Sequence, residues 1–202
     1  AVILLGVLGI VFAVILSFAS RVFHVKVDRR ISEVREALPG ANCGACGFPG
    51  CDGLAAAIIN DGAPITACPV GGPPLHAKLA QMLGADAGDS VREVAVVRCQ
   101  GKEAYSKDKF KYTGIRDCRA NHALQGGSKV CSYGCLGCGS CVDVCAFDAI
   151  HIIDGVAIVD EDKCTACKKC ISECPRELIV LKPYDQEVIV KCMNKDKGKF
   201  VR

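Results

Sequence analysis

Sixteen of the 202 residues are cysteines, and their spacing limits what they can do. From Cys135 the chain reads CLGCGSCVDVC, and from Cys164 it reads CTACKKCISEC followed by Pro175. Both runs are C-x2-C-x2-C-x3-C. A disulfide framework suits short secreted chains, and thiols this closely spaced cannot all pair with one another in good geometry. Metal ligation in a reducing compartment is expected instead. Three thiolates on one tight loop reach three corners of an iron–sulfur cube, and the fourth corner must be capped from elsewhere. In the bacterial ferredoxin run of this spacing, the fourth cysteine ligates the other cluster. The expected sets are Cys135, Cys138 and Cys141 with Cys174, and Cys164, Cys167 and Cys170 with Cys145. Structural zinc usually takes two separated C-x2-4-C pairs, which two interleaved quartets fit poorly. Ala146 stands where a proline usually comes after the first run, and leaves the ligands intact.

An earlier segment, NCGACGFPGCDG with ACPVGG beyond it, supplies Cys43, Cys46, Cys51 and Cys68. Three close cysteines and a distant fourth again suit a cube. Gly44, Gly47, Gly50 and Gly53 make the loop compact enough to wrap one. A third [4Fe–4S] cluster is expected, with zinc as the alternative. Cys99, Cys118, Cys131 and Cys192 are widely and irregularly spaced. They read as buried free thiols rather than a fourth cluster.

The elements that must position these thiols can be read from pattern. AVILLGVLGIVFAVILSFAS carries no charge from Ala1 to Ser20, and twenty helical residues span about 30 Å, the thickness of a bilayer core. Arg21, Lys26, Arg29 and Arg30 come next, which puts the C-terminal side in the cytoplasm by the positive-inside rule. A signal peptide would want a charged start and export of the remaining chain, which reduced metal-binding thiols oppose. Residues 24–38 continue as a polar helix with Ile31, Val34 and Leu38 on one face, stopped by Pro39-Gly40. GLAAAIIN and PPLHAKLAQML read as two short helices, the second with Pro at its start and Gly84 at its end. His76 in the second reads as an ordinary, partly exposed helix residue. A strand is expected over 93–99 through Val94, Val96 and Val97. From residue 135 the chain repeats itself with an offset of 29 residues: Val142 matches Ile171, Ile150 matches Ile179, and Ile152 matches Leu181. Between the copies, IHIIDGVAIV is a hairpin turning at Asp154-Gly155. Half-domains of this kind should pack as a pseudo-twofold pair.

Other chemistries find no support. The net charge of +3 and the absence of a recognition motif argue against nucleic acid. No G-x-G-x-x-G or P-loop fingerprint is present, so direct NAD or flavin binding is not expected. No acid–base or nucleophile constellation stands out, so no catalytic residue is assigned. The apolar helix holds no ionisable residue, the usual marker of an ion path. Residues 98–129 are basic, with eight Lys/Arg against three Asp/Glu; a solvated surface is the first reading, a dock for an acidic partner the second.

The membrane helix, the CGACGFPGC module and the two-cluster ferredoxin domain, in that order, resemble the B subunit of the Rnf complex, an ion-translocating ferredoxin:NAD oxidoreductase. A similar subunit occurs in the related Rsx complex. The twelve cysteines assigned above match the family's cluster ligands. The resemblance implies an α+β protein of six segments: a transmembrane helix (1–23), a helical 4Fe-4S module (24–84), a linker (85–92), a basic insertion (93–130), a ferredoxin-like domain with two 4Fe-4S clusters (131–190) and a tail (191–202). It implies three [4Fe–4S] clusters, reduced ferredoxin as electron donor and other membrane subunits as partners. The location implied is the cytoplasmic membrane, single-pass, with the clusters on the cytoplasmic side. The stretch 93–131 resembles longer, clostridial-type members, which often carry further ferredoxin modules. VVRCQG at Val96 and VIVKCMNKDKG at Val188 are similar lead-ins, so a further module beyond the tail is expected. A redox-regulatory iron–sulfur protein and a metal-stabilised structural subunit are the competing functions.

Overall fold

The computed structural model describes residues 2–22, 28–86, 88 and 91–197. The part of the polar helix expected over residues 24–27 lies outside the described residues.

Helix α1 runs Val2–Val22, with no acidic residue in its first turn and Arg21 in its last. Its side chains are described from Gly6 onward, Leu8 excepted. Large apolar side chains stand exposed along it, among them Ile10, Phe12, Leu16 and Phe18. Among the residues whose side chains are described, no helix is long and apolar enough to cross a membrane; residues 2–5 and Leu8 of α1 lie outside that set.

The first globular unit is three helices. Helix α2 (Arg29–Ala37) starts at Asp28, whose carboxylate accepts the Arg30 N–H at 2.9 Å and satisfies one of the orphan donors of the first turn. Helix α3 spans Gly50–Asn60. Helix α4 (Gly72–Leu83) has proline in its first turn and closes on Gly84 in the left-handed region, φ 64°, where a Cβ would be strained. Val34 and Leu38 meet Leu54, Ala55 and Ile58 of α3 and Leu75 and Leu79 of α4. Cys51 and Cys68 are buried in the same core. The apolar positions on which the helix expectations rested therefore do face inward. His76 departs from its expectation. It is buried, and its Nε2 donates to the Cys68 carbonyl at 3.0 Å. It lies one position after Leu75 and three before Leu79, close enough to the inward stripe of α4 to be drawn in.

The second unit holds two two-stranded antiparallel sheets. Strands β2 (Ile150–Ile153) and β3 (Val156–Val159) form the expected hairpin, in the register Ile150 to Val159. Strand β1 (Glu93–Val97) forms within the expected stretch and pairs with β4 (Ile179–Pro183), Val97 opposite Ile179. Short helices α6 (Ser140–Asp143) and α7 (Lys169–Glu173) pack on each other, α6 against β2 and α7 against β4. Helix α5 (Cys118–Ala123) is capped by Asp117, whose side chain accepts the Ala120 N–H at 2.7 Å. Ala95, Val97, Ile150, Ala157, Leu178 and Ile179 form the core with Cys141 and Cys170.

The repeat seen in sequence is also a repeat of backbone. Positive φ recurs at Gly137 and Ala166, at Gly139 and Lys168, and at Asp148 and Glu177, each pair separated by the same offset. The loop hydrogen bonds recur too: Cys145 N–H to Val142 O at 3.0 Å, and Cys174 N–H to Ile171 O at 3.3 Å. Strand β1 stands to β4 as β3 stands to β2. The chain from residue 93 thus completes the second half of the unit.

Candidate metal centres

The α6 and α7 loops carry the thiols inward. In each, a residue in the left-handed region (Gly139, Lys168) caps the short helix and turns the cysteine after it, Cys141 or Cys170, into the core. One pocket is lined by Cys135, Cys141, Cys174 and Cys118, against Val97 and Leu178. A second is lined by Cys145, Cys164, Cys167 and Cys170, against Ala95 and Ile150. In each, a cysteine from one copy of the repeat joins cysteines of the other. Cys138 is not among the first pocket's lining residues; its thiol interacts with Cys118, which is, and its Sγ accepts from Asn121 Nδ2 at 3.3 Å.

Burial pushes the Cys141 and Cys170 thiols up to about 12, helped by the neighbouring thiolates. Burial also raises Cys135, against the Ala157 and Gly137 N–H groups that favour its thiolate. Cys138 is raised by burial, opposed by the Asn121 amide and reinforced by Cys118. An uncompensated set of thiolates in an apolar wall is unfavourable; a bound cation or cluster resolves it by taking all the ligands deprotonated. Matched backbone donors await the sulfurs. Ala95 N–H reaches Cys164 Sγ at 3.3 Å, and Ala149 N–H reaches Cys145 Sγ at 3.4 Å.

In the first unit the cysteine loop is folded around Asn42, at φ 46°. Its Oδ1 accepts the Cys51 N–H at 2.8 Å. A Cβ at Gly50 would sit 3.0 Å from that oxygen, so this glycine is required by contact as well as by its φ of 83°. Burial raises the Cys68 thiol, and the nearby Cys46 and Cys51 thiolates add to the rise. Cys43 is half-buried.

Among the described residues, no three or more His, Cys, Asp or Glu are gathered tightly enough for a single metal ion. Tetrahedral zinc at about 2.3 Å from each sulfur draws its ligands to one point, whereas a cube with an iron at each of four corners spreads them. The eight cysteines of the two repeats, Cys138 excepted, line the two pockets.

Two families match the chain. One, described as "Putative Fe-S cluster", covers residues 38–70. The other, the 4Fe-4S dicluster domain, covers residues 134–178. The chain is 38% identical to the B subunit of the ion-translocating oxidoreductase complex of Methanosarcina acetivorans, over 96% of this chain and 74% of that protein. It is 36% identical to the B subunit of the proton-translocating ferredoxin:NAD(+) oxidoreductase complex of Clostridium ljungdahlii, over 99% of this chain and 71% of that protein. The chain belongs to the family of B subunits of ion-translocating oxidoreductase complexes. Another member, the B subunit of the Na(+)-translocating ferredoxin:NAD(+) oxidoreductase complex of Acetobacterium woodii, is 52% identical over 98% of this chain. The chain spans 60% of the length of that relative.

In this member of the family, two residues lining the first pocket, Cys118 and Arg176, and one beside Cys138, Asn121, escaped the sequence reading. Cys118 arrives on α5, its N–H held by Ser140 Oγ at 2.7 Å, with Asp117 accepting from the same hydroxyl at 3.0 Å. Asn121 is buried, and it also accepts the Ser128 N–H at 2.9 Å. Arg176 comes after Pro175 into the wall. An N-cap aspartate and an Asn four residues on signal the helix, not what it packs against. Of the other unassigned thiols, Cys99 Sγ accepts the Cys135 N–H at 3.3 Å, Cys131 is half-buried and Cys192 is exposed. The basic stretch is partly internal: Lys129 is buried against Asp108 at 3.2 Å, and Arg119 pairs with Glu173 at 3.2 Å. Lys107, Lys109 and Lys111 remain exposed.

Proposed function

We propose that this chain is the membrane-anchored iron–sulfur electron-transfer subunit of an ion-translocating oxidoreductase complex, carrying three [4Fe–4S] clusters. The observation that carries the reading is the exchange of cysteines between the two repeats. Cys174 lies with Cys135 and Cys141 around one pocket, and Cys145 with Cys164, Cys167 and Cys170 around the other. That exchange supports ligation of one cluster by Cys135, Cys138, Cys141 and Cys174, and of the second by Cys164, Cys167, Cys170 and Cys145. Cys43, Cys46, Cys51 and Cys68 are the ligands assigned to the third. Each cluster supplies a one-electron carrier whose potential depends on burial, net charge and hydrogen bonds to sulfur. The chain's own part is to hold the thiolates, exclude water with Val97, Leu178 and Ile150, and place N–H groups on the sulfurs.

Helix α1 is read as the anchor. Its 21 residues would extend about 31 Å at 1.5 Å per residue, and no charge interrupts them before Arg21. Its apolar side chains are exposed on the protein, as lipid contact requires. Arg21, Lys26, Arg29 and Arg30 support a cytoplasmic side for the clusters by the positive-inside rule. Two relatives are named for ferredoxin and NAD, one with sodium and one with protons as the ion. By that kinship reduced ferredoxin is the donor, and the remaining membrane subunits take the electrons and move the ion.

The test is a titration of the anaerobically cluster-loaded full chain with reduced ferredoxin, tracked by visible absorbance. The account expects bleaching by about three electrons per chain, one per cluster. Clusters that stay oxidised beside a low-potential ferredoxin would leave a structural role only. Cys174→Ser separates the ligand sets: it should damage the cluster on the Cys135 loop. Loss confined to the Cys164 cluster would refute the exchange.

A further inference from the structure

The two repeats agree where a strand backbone faces the first cysteine of each run. Ala157 N–H favours the Cys135 thiolate as Ala95 N–H favours Cys164, and Ala157 and Ala95 hold equivalent places opposite Ile152 and Leu181. The agreement breaks two residues after the exchanged cysteine. Behind Cys145 stands Phe147, which lines the second pocket. Behind Cys174 stands Arg176, which lines the first.

The Arg176 guanidinium is held in a fixed seat. Nη1 donates to Cys131 O at 2.8 Å and to Gly134 O at 2.6 Å, and Nη2 donates to Gly126 O. The seat exists because residue 127 is glycine at φ 97°: a Cβ there would meet Arg176 Nη2 at 2.5 Å and Leu136 at 2.6 Å. Three carbonyls engage the two terminal nitrogens and fix the plane of the guanidinium. Nε is buried without a partner. A buried N–H of a charged group left unpaired is costly, and Arg176 lines the pocket ringed by Cys135, Cys141 and Cys174.

We propose that Arg176 donates its Nε–H to a sulfur of the cluster on Cys135, Cys138, Cys141 and Cys174, and so holds that cluster at a higher reduction potential than its twin. The proposal rests on the cluster assignment above. Reduction adds one negative charge to the cluster, and a fixed cation and an N–H donor at its edge stabilise the reduced form. Glu173 also lines the first pocket, but its carboxylate is paired with Arg119 at 3.2 Å. At the second pocket the residue matching Arg176 is an uncharged ring. Lys168 there is exposed and Lys169 half-buried, so water and salt screen them. An electron shared by the two clusters therefore rests on the first.

Redox titration of the cluster-loaded full chain, monitored by electron paramagnetic resonance, reads this directly. The first cluster is the one whose signal is lost in Cys135→Ser. In the unsubstituted chain its midpoint should lie above that of the second. Arg176→Gln should lower its reduction equilibrium at least tenfold, 59 mV for a one-electron couple, and leave the second cluster unmoved. Phe147→Arg should raise the second. Where Arg176→Gln loses iron, Arg176→Lys keeps the charge but removes the Nε–H, and its first midpoint should still fall. Equal midpoints in the unsubstituted chain, or an unmoved first midpoint in an iron-replete Arg176 variant, would overturn the proposal. A wrong cluster assignment shows itself separately, as incomplete iron in the unsubstituted chain or as the wrong signal lost in Cys174→Ser.

Discussion

Gly137 lies between the first two cysteines of the first loop, and its substitution tests how closely that loop must approach the hairpin. Its φ is 72°. A Cβ built on it would stand 2.6 Å from the Gly155 carbonyl oxygen, well short of the 3.4 Å at which ordinary contact begins. Gly126 has nearly the same φ, 73°, but nothing within 4 Å of its Cβ position. Alanine at either site carries the left-handed cost of about 1–2 kcal/mol. At Gly137 the clash is with backbone at the β2–β3 turn, which no rotamer can relieve. Moving loop or hairpin adds about 1–3 kcal/mol, by analogy with overpacked cores. The expected penalties are about 2–5 kcal/mol for Gly137→Ala and about 1–2 kcal/mol for Gly126→Ala. With a urea dependence of about 1–3 kcal/mol per molar, the midpoint for loss of visible absorbance should fall by about 1 M more in Gly137→Ala. The assay is anaerobic urea bleaching of the loaded chain at fixed time. Equal midpoints for the two variants would show that the loop and hairpin do not meet as described.

Three further perturbations have defined outcomes. Leu178→Ala empties a side chain that is 2% exposed and lies against both Cys141 and Ile179 in the core; it should cost about 2–5 kcal/mol in urea unfolding, and a loss near zero would remove it from the core. Asn121→Ala strands the buried Ser128 N–H, at about 1–3 kcal/mol, and should also lower the potential of the first cluster by removing the donor to Cys138 Sγ; an unchanged potential would mean that this amide does not face the ligand. In the apo chain, Cys141 and Cys170 are held protonated up to about 12, while unfolded thiols ionise near about 8.5. Above that pH the unfolded state binds fewer protons than the fold. The stabilisation is therefore complete below about pH 8.5 and is lost at up to about 1.4 kcal/mol per pH unit per thiol as pH rises toward 12. Apo unfolding at pH 7.5 and 10 should show the fall; a pH-independent apo chain would mean that these thiols are not buried.

Much of the site was legible because cluster ligation leaves local marks. The two C-x2-C-x2-C-x3-C runs and the matched apolar positions announce a duplicated loop and helix, and Asp154-Gly155 announces the hairpin. What pairs across the chain left no such mark. Val94, Val96 and Val97 mark a strand over 93–99, but nothing in those residues names β4 as its partner. Cys118 looked like a stray thiol because its approach to the first pocket depends on α5 being tied through Asp117 and Ser140 to the start of α6. His76 looked like a surface residue because a single ring on a short helix carries no periodic signal; the Cys68 carbonyl that binds it belongs to the loop before the helix. Arg176 is one residue past a recognised motif, and only the fold shows that three carbonyls hold its terminal nitrogens while Nε is buried unpaired.

The central claim is that this chain holds three iron–sulfur cubes rather than zinc or free thiols. The direct measurement is iron, acid-labile sulfide and zinc per chain after anaerobic purification. About twelve iron and twelve sulfide with negligible zinc, four of each per cluster, is the result predicted. Stoichiometric zinc without sulfide would contradict it.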